Sequence, residues 1–374
     1  MRVTSLHLYN FRNYPRLEVR FAAGPNLFVG RNAEGKTNIL EALFFLATTR
    51  SHRTSHDQEL ITWGQESLVA RAVLQRAAGP STVELQLQER RKRARLNGAA
   101  QNRLLDFVGQ LKAVLFSPED LQLLKGSPQL RRRFLDLQLG QTSRPYLHHL
   151  QEYTRSLSHR NALLRREPAP TAGELEVWDE QLAQHGAQLL ARRADAVEAL
   201  REQAVHYHRE VTSGREELQV SYQPGLPGWQ PAAEEGAAAR HLAAELLRRR
   251  RQDLARRTTL VGPHRDDLAL HLNGRDARLY ASQGQQRSAV LALKLAELNY
   301  ITRVSGEPPV LLLDDVTSEL DVERRRFLLQ VVPSTAQLFM TATETTDLDP
   351  GWLTGATVFG VQAGRLFETP PGNN

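Results

Sequence analysis

Gly30-Arg31-Asn32-Ala33-Glu34-Gly35-Lys36-Thr37 decides the fold of this chain. The run fits G-x-x-x-x-G-K-[ST], in which the glycines let the loop turn so that backbone N–H groups face phosphates. Lys36 is then placed to reach the β- and γ-phosphates, and Thr37 to set its hydroxyl on Mg²⁺. The helix that follows points its positive end at the anion. The flanks agree: Leu27-Phe28-Val29 is an apolar strand, and Ile39, Leu40, Leu43, Phe44 and Leu46 recur at helical spacing.

The second half of such a site lies far along the chain. Val310-Leu311-Leu312-Leu313-Asp314-Asp315 is a short apolar run ending in two carboxylates, the pattern of a buried parallel strand. In a P-loop nucleotidase the first acid, Asp314, holds Mg²⁺ together with Thr37. The second, Asp315, can polarise an attacking water as a general base. Lys36 and Asp315 are thus the catalytic candidates, and Thr37 and Asp314 the metal candidates.

Composition bounds the rest. The chain has 374 residues, 41% hydrophobic and 24% charged, ordinary for a globular protein with more than one lobe. It has no Cys, which excludes a disulfide scaffold, a thiolate zinc site and a thiol nucleophile. No run of 18 apolar residues occurs, and the first residues alternate like a strand rather than forming a leader's apolar block. A soluble, intracellular protein is expected. The net charge of +6 is compatible with nucleic acid without requiring it. Only five of the 48 basic residues are Lys, and because the Arg excess runs the length of the chain it reads as compositional bias.

Strands are expected at 3–9 and 16–29, and Val83, Leu85 and Leu87 alternate with Glu84, Gln86 and Gln88 ahead of an Asn97-Gly98 turn. From about 128 to 257 the periodicity is helical. A seam through Tyr146, Leu150, Tyr153 and Leu164 is broken at 167–173 and resumes through Leu175, Leu182, Leu189 and Val197. Two such helices should pack antiparallel into an arm, roughly 37 Å long for 25 residues. Strands return near 268–280 with an Asn273-Gly274 turn. The expected organisation is an α/β head formed by 1–125 and 258–374, interrupted by a helical insert at 126–257. His148, His149, His206 and His208 lack metal-ligand spacing and are expected at the surface.

Further residues narrow the class. Ser282-Gln283-Gly284-Gln285-Gln286-Arg287, just ahead of a helix, resembles the signature motif of ABC-type ATPases, and Ser318-Glu319-Leu320-Asp321 resembles their D-loop. The order of loop, insert, signature, acid strand and D-loop is the ABC order. The resemblance implies a mixed sheet flanked by helices, with ATP and Mg²⁺ as ligands. It also implies that Ser282, Gln283, Gly284 and Gln285 complete the site of a second copy arranged head to tail, with Ser318 and Asp321 at the same junction.

Leu8-Tyr9-Asn10-Phe11-Arg12-Asn13-Tyr14, Thr37-Asn38-Ile39-Leu40-Glu41-Ala42 and Ser51-His52-Arg53 all look like RecF proteins. So do Pro118-Glu119-Asp120, Leu123-Leu124-Lys125-Gly126-Ser127-Pro128, Arg131-Arg132-Arg133-Phe134-Leu135-Asp136 and Gly262-Pro263-His264-Arg265-Asp266-Asp267. The resemblance spans residues 1 to about 345. It implies a cytoplasmic, nucleoid-associated recombination mediator for DNA repair and replication. Such proteins bind gapped DNA or single-/double-strand junctions, dimerise on ATP, hydrolyse it slowly with stimulation by DNA, and act with RecR and RecO to load RecA.

The chain departs from the ABC pattern at three places. Asp315 stands where ABC proteins usually carry Glu. No His follows Gln337-Leu338-Phe339-Met340, so Thr341 or Thr343 must take the switch position. The Q-loop position falls near Val114–Asp120, with Glu119 as its candidate. Four arginines are candidate DNA contacts: Arg91 and Arg93 on a basic hairpin edge, and Arg131 and Arg132 at a helix start, where pairing with Asp136 is the alternative. Three other classes stay open: an ATP-binding scaffold with negligible hydrolysis, a transporter-like ABC subunit, and an SMC-type structural ATPase, for which the arm is short.

Overall fold

The structure is a computed structural model that describes residues 1–77, 79–231, 236–316, 320–332, 336–344 and 355–369. The chain forms two compact units: Met1–Leu121 with Val290–Asn374, and Gln122–Ala289.

The first unit carries two sheets. Arg2–Phe11 (β1), Tyr14–Arg20 (β2), Ser67–Arg76 (β4), Gly79–Gln88 (β5), Arg91–Leu96 (β6) and Ala99–Gln101 (β7) form an antiparallel sheet in the order β2-β1-β4-β5-β6-β7. The second sheet contains Asn26–Val29 (β3), Ala113–Phe116 (β8), Val310–Leu313 (β12), Leu338–Ala342 (β13), Thr357–Gln362 (β14) and Arg365–Thr369 (β15). Its order is β15-β14-β3-β13-β12-β8, parallel except for β15. The central strands read as continuous apolar runs because both faces are covered.

Helix Lys36–Thr48 packs against strands of both sheets. Nearly all of its residues are buried, so it is apolar around its whole circumference rather than along one stripe. Phe21, Phe28, Phe339 and Phe359 form an aromatic cluster over the parallel sheet, with Phe21 edge-on to Phe339 at 4.8 Å. Gln337 ties the two sheets together: its amide accepts from Val3 N (2.7 Å) and donates to Val3 O (2.9 Å) and Ala22 O (2.7 Å). A fully buried amide with these three bonds is satisfied, so it fixes register at little cost.

The second unit is mainly helical. Its long helices are Pro128–Thr142, Arg144–Leu164, Ala172–Val211 and Ala237–Arg256. The break in the seam is real: Thr171 begins the third helix with a capping box, its N–H donating to Glu174 Oε2 at 2.8 Å. That helix has 40 residues, about 60 Å of length, longer than the spacing suggested. A three-stranded sheet of Leu218–Gln223 (β9), Asp267–Leu272 (β10) and Arg275–Asp276 (β11) completes the unit in the order β11-β10-β9. The Asn273-Gly274 turn joins β10 to β11 with φ of 50° and 76°, as a two-residue hairpin requires. Because β10 pairs along β9, residues 258–289 fold with this unit, whereas the sequence placed them with the head. The division between units falls within helix Gln283–Ser305.

Buried ion pairs organise the second unit. Arg193 donates to Asp136 Oδ1 (2.7 Å), Asp266 Oδ2 (2.6 Å), Pro263 O (2.7 Å) and the Tyr146 hydroxyl (2.9 Å). Asp266 also accepts from the Tyr222 hydroxyl (2.5 Å) and Gly225 N (2.7 Å). Arg160, fully buried, donates to Asp179 Oδ1 (2.6 Å) and Asp253 Oδ2 (2.7 Å). Each charge has several partners, which is what makes burial tolerable. His208 is also fully buried, not at the surface as expected. Arg193→Met strands the Asp136 and Asp266 carboxylates and is expected to cost about 3–5 kcal/mol. A urea midpoint unchanged from the parent chain would show that the network is not structural.

Candidate functional site

β3 ends at Val29 and the loop begins. Gly30 N donates to Ala342 O of β13 at 3.4 Å, and a Cβ on Gly30 would stand 2.3 Å from Val361 O, so no larger residue fits. Positive φ at Ala33 (68°) and Gly35 (117°) curls the loop, the alternation that turns successive N–H groups to one side. A Cβ on Gly35 would meet Asn13 and Tyr14 atoms at 2.6–2.9 Å. Helix Lys36–Thr48 starts at Gly35 with no capping side chain and no acid in its first turn, which leaves its N-terminal field for an anion.

Asn13 Nδ2 donates to Glu34 O (2.9 Å) and the Tyr14 hydroxyl to Gly35 O (3.1 Å), so the turn after β1 braces the loop from below. Gly364 N donates to Glu34 O (3.1 Å), bracing it from the β14–β15 hairpin. Lys36 Nζ donates to Gly30 O (2.5 Å) and Arg31 O (3.0 Å), folded over the loop. Burial pushes its ammonium down, against the pull of Asp315, Asp314 and Glu34. A polyphosphate bound here would therefore meet a cation already partly stripped of water.

Thr37, Asp314 and Thr341 form one cluster. The Thr37 hydroxyl donates to Asp314 Oδ1 (2.8 Å), the Thr341 hydroxyl donates to the same oxygen (2.9 Å), and Asp315 N donates to Thr341 Oγ1 (2.8 Å). The sheet order explains the meeting. β13 lies between β3 and β12, so the strand last in sequence carries Thr341 between the loop and the acid pair. Asp314 is buried, and burial pushes its carboxyl up against the two hydroxyl bonds that favour its charge. A hydroxyl and a carboxylate converging here are the hard oxygen donors Mg²⁺ prefers. Of the two threonines considered for the switch position, Thr341 touches the acids.

The RecF-like motifs of the first unit meet around Glu41, which is fully buried. Arg12 grips it from Nε and Nη2 at 2.8 and 2.7 Å, and Ser51 Oγ donates to it at 2.5 Å. Arg53 Nη1 donates to Asn38 Oδ1 (3.0 Å), and Asn38 Nδ2 to Asn13 Oδ1 (2.8 Å). Burial pushes the His52 imidazole down to about 4, so it packs neutral, edge-on to Phe44. These contacts shape one wall of a cavity of about 560 Å³ that also exposes Lys36, Thr37, Asp315, Thr341 and Trp63. In the sequence Arg12, Asn13, Asn38, Glu41 and Arg53 are motif residues without a role, because their long-range partners are not visible there. Trp63 belongs to no motif.

Other candidates fall elsewhere. Ser282 is exposed and starts helix Gln283–Ser305 reciprocally, its N–H donating to Gln285 Oε1 (2.8 Å) while its hydroxyl accepts from Gln285 N (3.3 Å). Gln283 is exposed beside it. Asp321 caps helix Val322–Val331, accepting from Arg324 N at 2.9 Å. Ser318 lies outside the described residues. Glu119 is exposed in the turn after β8, whose end adjoins Asp314 through Asp314 N to Phe116 O at 2.8 Å.

Arg131 is not a surface contact. It is 5% exposed, forks onto Asp267 (2.6 and 2.9 Å) and caps Leu123 O and Gly126 O. Arg132 is half-buried and donates to Asp266 O at 2.6 Å. Neither pairs with Asp136, which Arg193 takes. Arg91 and Arg93 are exposed on β6. Among the described residues no helix is long and apolar enough to cross a membrane.

Thr341→Val keeps the shape of the strand but removes one of the two hydroxyls on Asp314 and the acceptor of Asp315 N–H. Loss of such hydrogen bonds costs about 1–3 kcal/mol, so the variant is expected to unfold at a lower urea concentration than the parent. A urea midpoint at the parental value would exclude a role for this hydroxyl in the cluster.

The family described as RecF/RecN/SMC N terminal domain matches residues 2–351. The chain is 50% identical over 370 residues to the DNA replication and repair protein RecF of Symbiobacterium thermophilum, with 98% of each chain covered. It is 40% identical to RecF of a Synechococcus strain, covering all of this chain and 99% of that one. Among solved structures, the recombination mediator protein RecF with ATP, in the RecFOR pathway, superposes with a TM-score of 0.90. That pair is 33% identical and covers 98% of this chain and 97% of the other. An Smc head bound to the C-winged helix domain of ScpA shares the fold at a TM-score of 0.53 and 14% identity. The phosphate-loop head and the full-length match agree: this chain belongs to the RecF family.

Proposed function

We propose that the chain is an ATP-switched DNA clamp that acts as a recombination mediator. ATP joins two copies head to tail on gapped or junction DNA, slow DNA-stimulated hydrolysis releases them, and RecR and RecO work with the clamp to load RecA. The observation that carries this is the bonded cluster of Thr37, Asp314 and Thr341 beside the curled Gly30–Thr37 loop, in a chain one-third identical to a RecF solved with ATP.

Lys36 neutralises the β- and γ-phosphates, and the N–H groups of residues 30–37 cradle them. Thr37 and Asp314 would hold Mg²⁺, which would supply positive charge to offset that of the phosphates. Asp315 polarises the attacking water. Its side chain is one methylene shorter than the usual Glu, which fits a slow switch better than rapid turnover. The helix start at Ser282, Gln283, Gly284 and Gln285, whose first two residues are exposed, serves the second copy, with Ser318 and Asp321 at the same junction. The first unit carries the nucleotide, and the long helices of the second are the arm.

Mixing two defective proteins tests the head-to-tail arrangement. Lys36→Met is expected to lose ATP binding, and Ser282→Arg to keep it while losing ATP-induced dimerisation. Mixed together, they can build one composite site with both residues intact, so some ATPase activity is expected to return. No recovery between two folded variants, followed by phosphate release and sedimentation, would mean each site is built within one chain.

For DNA we propose the outer face of the antiparallel sheet. Strand register places Arg16, Arg20, Arg71, Arg91, Arg93 and Arg95 on the face opposite the buried alternation, with Glu18 and Glu84 the acids among them. Arg16 and Arg95 lie near those acids, at 2.9 and 3.6 Å. Tyr9 is the aromatic of the face, and its ring is already covered by Arg16 at 5.8 Å. Stacking of single-stranded bases needs several open rings, so the face suits duplex phosphates. Replacing Arg20, Arg71, Arg91 and Arg93 together by Ala is expected to weaken duplex binding with ATP at least tenfold. The salt slope should flatten by about 0.9 for each phosphate that is no longer neutralised. An unchanged slope would move the DNA to another surface.

A further inference from the structure

We propose that His149 and His185 form a binding site for a divalent cation of the Zn²⁺ class, which ties two helices of the second unit together.

The two histidines come from different helices, Arg144–Leu164 and Ala172–Val211. Polar contacts pin these helices to each other on both sides of the pair. Arg160 bonds Asp179 at 2.6 Å on one side, and Arg193 bonds the Tyr146 hydroxyl at 2.9 Å on the other. Between them, Nδ1 of His149 lies 3.0 Å from Nδ1 of His185. Two nitrogens that share a tetrahedral zinc each stand about 2.0–2.1 Å from it, and so about 3.4 Å from one another. The rings need to part by only about 0.4 Å to reach that spacing. A site whose ligands are already fixed by packing loses little freedom when the ion arrives.

The protonation chemistry also fits. With no ion bound, one ring donates its Nδ1–H to the bare Nδ1 of the other. Moving that proton to Nε2 of the same ring bares both Nδ1 atoms without changing the charge of either side chain. Both rings are held neutral, the form a metal takes. Burial and Arg192 push the His149 imidazole down to about 4, and burial and His148 push that of His185 down. Arg192 opposes a cation, but it is bonded along its own helix to Gln188 O at 3.3 Å. The Glu152 carboxylate acts the other way on His185.

His149 is half-buried and its neighbour His148 exposed, so the pair lies at the rim of the helix contact, where an ion keeps part of its water. Among the described residues no three His, Asp or Glu side chains stand together as a metal site, so two imidazoles bind the ion and water completes its shell. Imidazole nitrogens suit Zn²⁺, Cu²⁺ and Ni²⁺, whereas Mg²⁺ prefers hard oxygens. This pair and the Thr37–Asp314 cluster therefore select different ions. The next residue, Gly186, marks a close approach: a Cβ there would stand 2.6 Å from Leu242 and 3.0 Å from Tyr153, whose hydroxyl lies 2.7 Å from His264 Nδ1. An ion bridging His149 and His185 clamps the helices beside that junction, and binding only the folded form it stabilises the unit in proportion to its occupancy.

The test uses the full chain, zinc chloride as the probe, and excess Mg²⁺ to fill oxygen sites. Equilibrium dialysis of the parent is expected to show uptake of one Zn²⁺ beyond that of the chain with both histidines replaced by Gln, and zinc is expected to raise the parent's urea midpoint. His149→Gln and His185→Gln are each expected to weaken the uptake about tenfold or more and to abolish the rise. Each variant is compared with its own zinc-free state, so a general loss of stability does not count. His148→Gln is expected to keep the parental affinity. Equal uptake by the parent and both variants would overturn the proposal. So would a parent that takes up no zinc, which would leave the pair a hydrogen bond only, or a loss in His148→Gln as large as in the other two.

Discussion

A carboxylate held in a dry place must be matched or it will not stay charged, and Asp314 is matched by hydroxyls from a helix start and a neighbouring strand. Thr37 comes from the first turn of the helix after β3 and Thr341 from the end of β13, and both donate to the same oxygen. That shared acceptor can exist only if β13 lies between β3 and β12 with its end level with theirs. The parallel register supplies this, with Met340 beside Leu313 and Thr341 beside Phe28. The remaining architecture of the first unit follows from keeping those three strand ends together. Gln337 fixes β13 to β1 just before the strand begins, and the phenylalanine cluster presses on the sheet face nearby.

The helix after the loop answers a second constraint. It lies against both sheets, so it can offer no polar stripe to water, and yet it carries Glu41 in the middle of its buried surface. That charge is retained because Arg12 and Ser51 converge on it from two other parts of the chain. Breaking it would leave a buried ion unpaired, which costs far more than the pair itself gains. Glu41 thereby fixes where the Asn13 turn and the Arg53 segment sit relative to the loop. Three motifs that look unrelated along the sequence are one structural joint.

The sequence made the loop, the acid strand and the helical middle legible because their periodicities are local. A G-x-x-x-x-G-K-T run between an apolar strand and a helix needs no distant information, nor do two Asn-Gly turns with φ near 50° and 80°. What stayed hidden is non-local. β9 is six residues between helices, and it exists because β10 offers it an edge, so residues 258–289 joined a unit the sequence did not assign them to. Thr341 could be narrowed to a pair of threonines but not chosen, since the choice depends on strand order.

Arginine shows the same limit most clearly. Of 48 basic residues only five are Lys, and along the sequence the excess has no pattern. In three dimensions it separates into two populations. Arg131, Arg160 and Arg193 are nearly or fully buried, each bonded to a carboxylate from a distant segment. The planar, always-charged guanidinium suits that task and a lysine ammonium does not. Arg20, Arg71, Arg91 and Arg93 stand exposed on one sheet face. A row of three arginines at 131–133 looks more like a phosphate site than scattered single ones do, yet its first member is buried in an ion pair. The single ones, brought into adjacent rows by strand register, make the broader cationic surface. Charge along a chain counts cations; the register of a sheet decides which of them can meet a polyanion together.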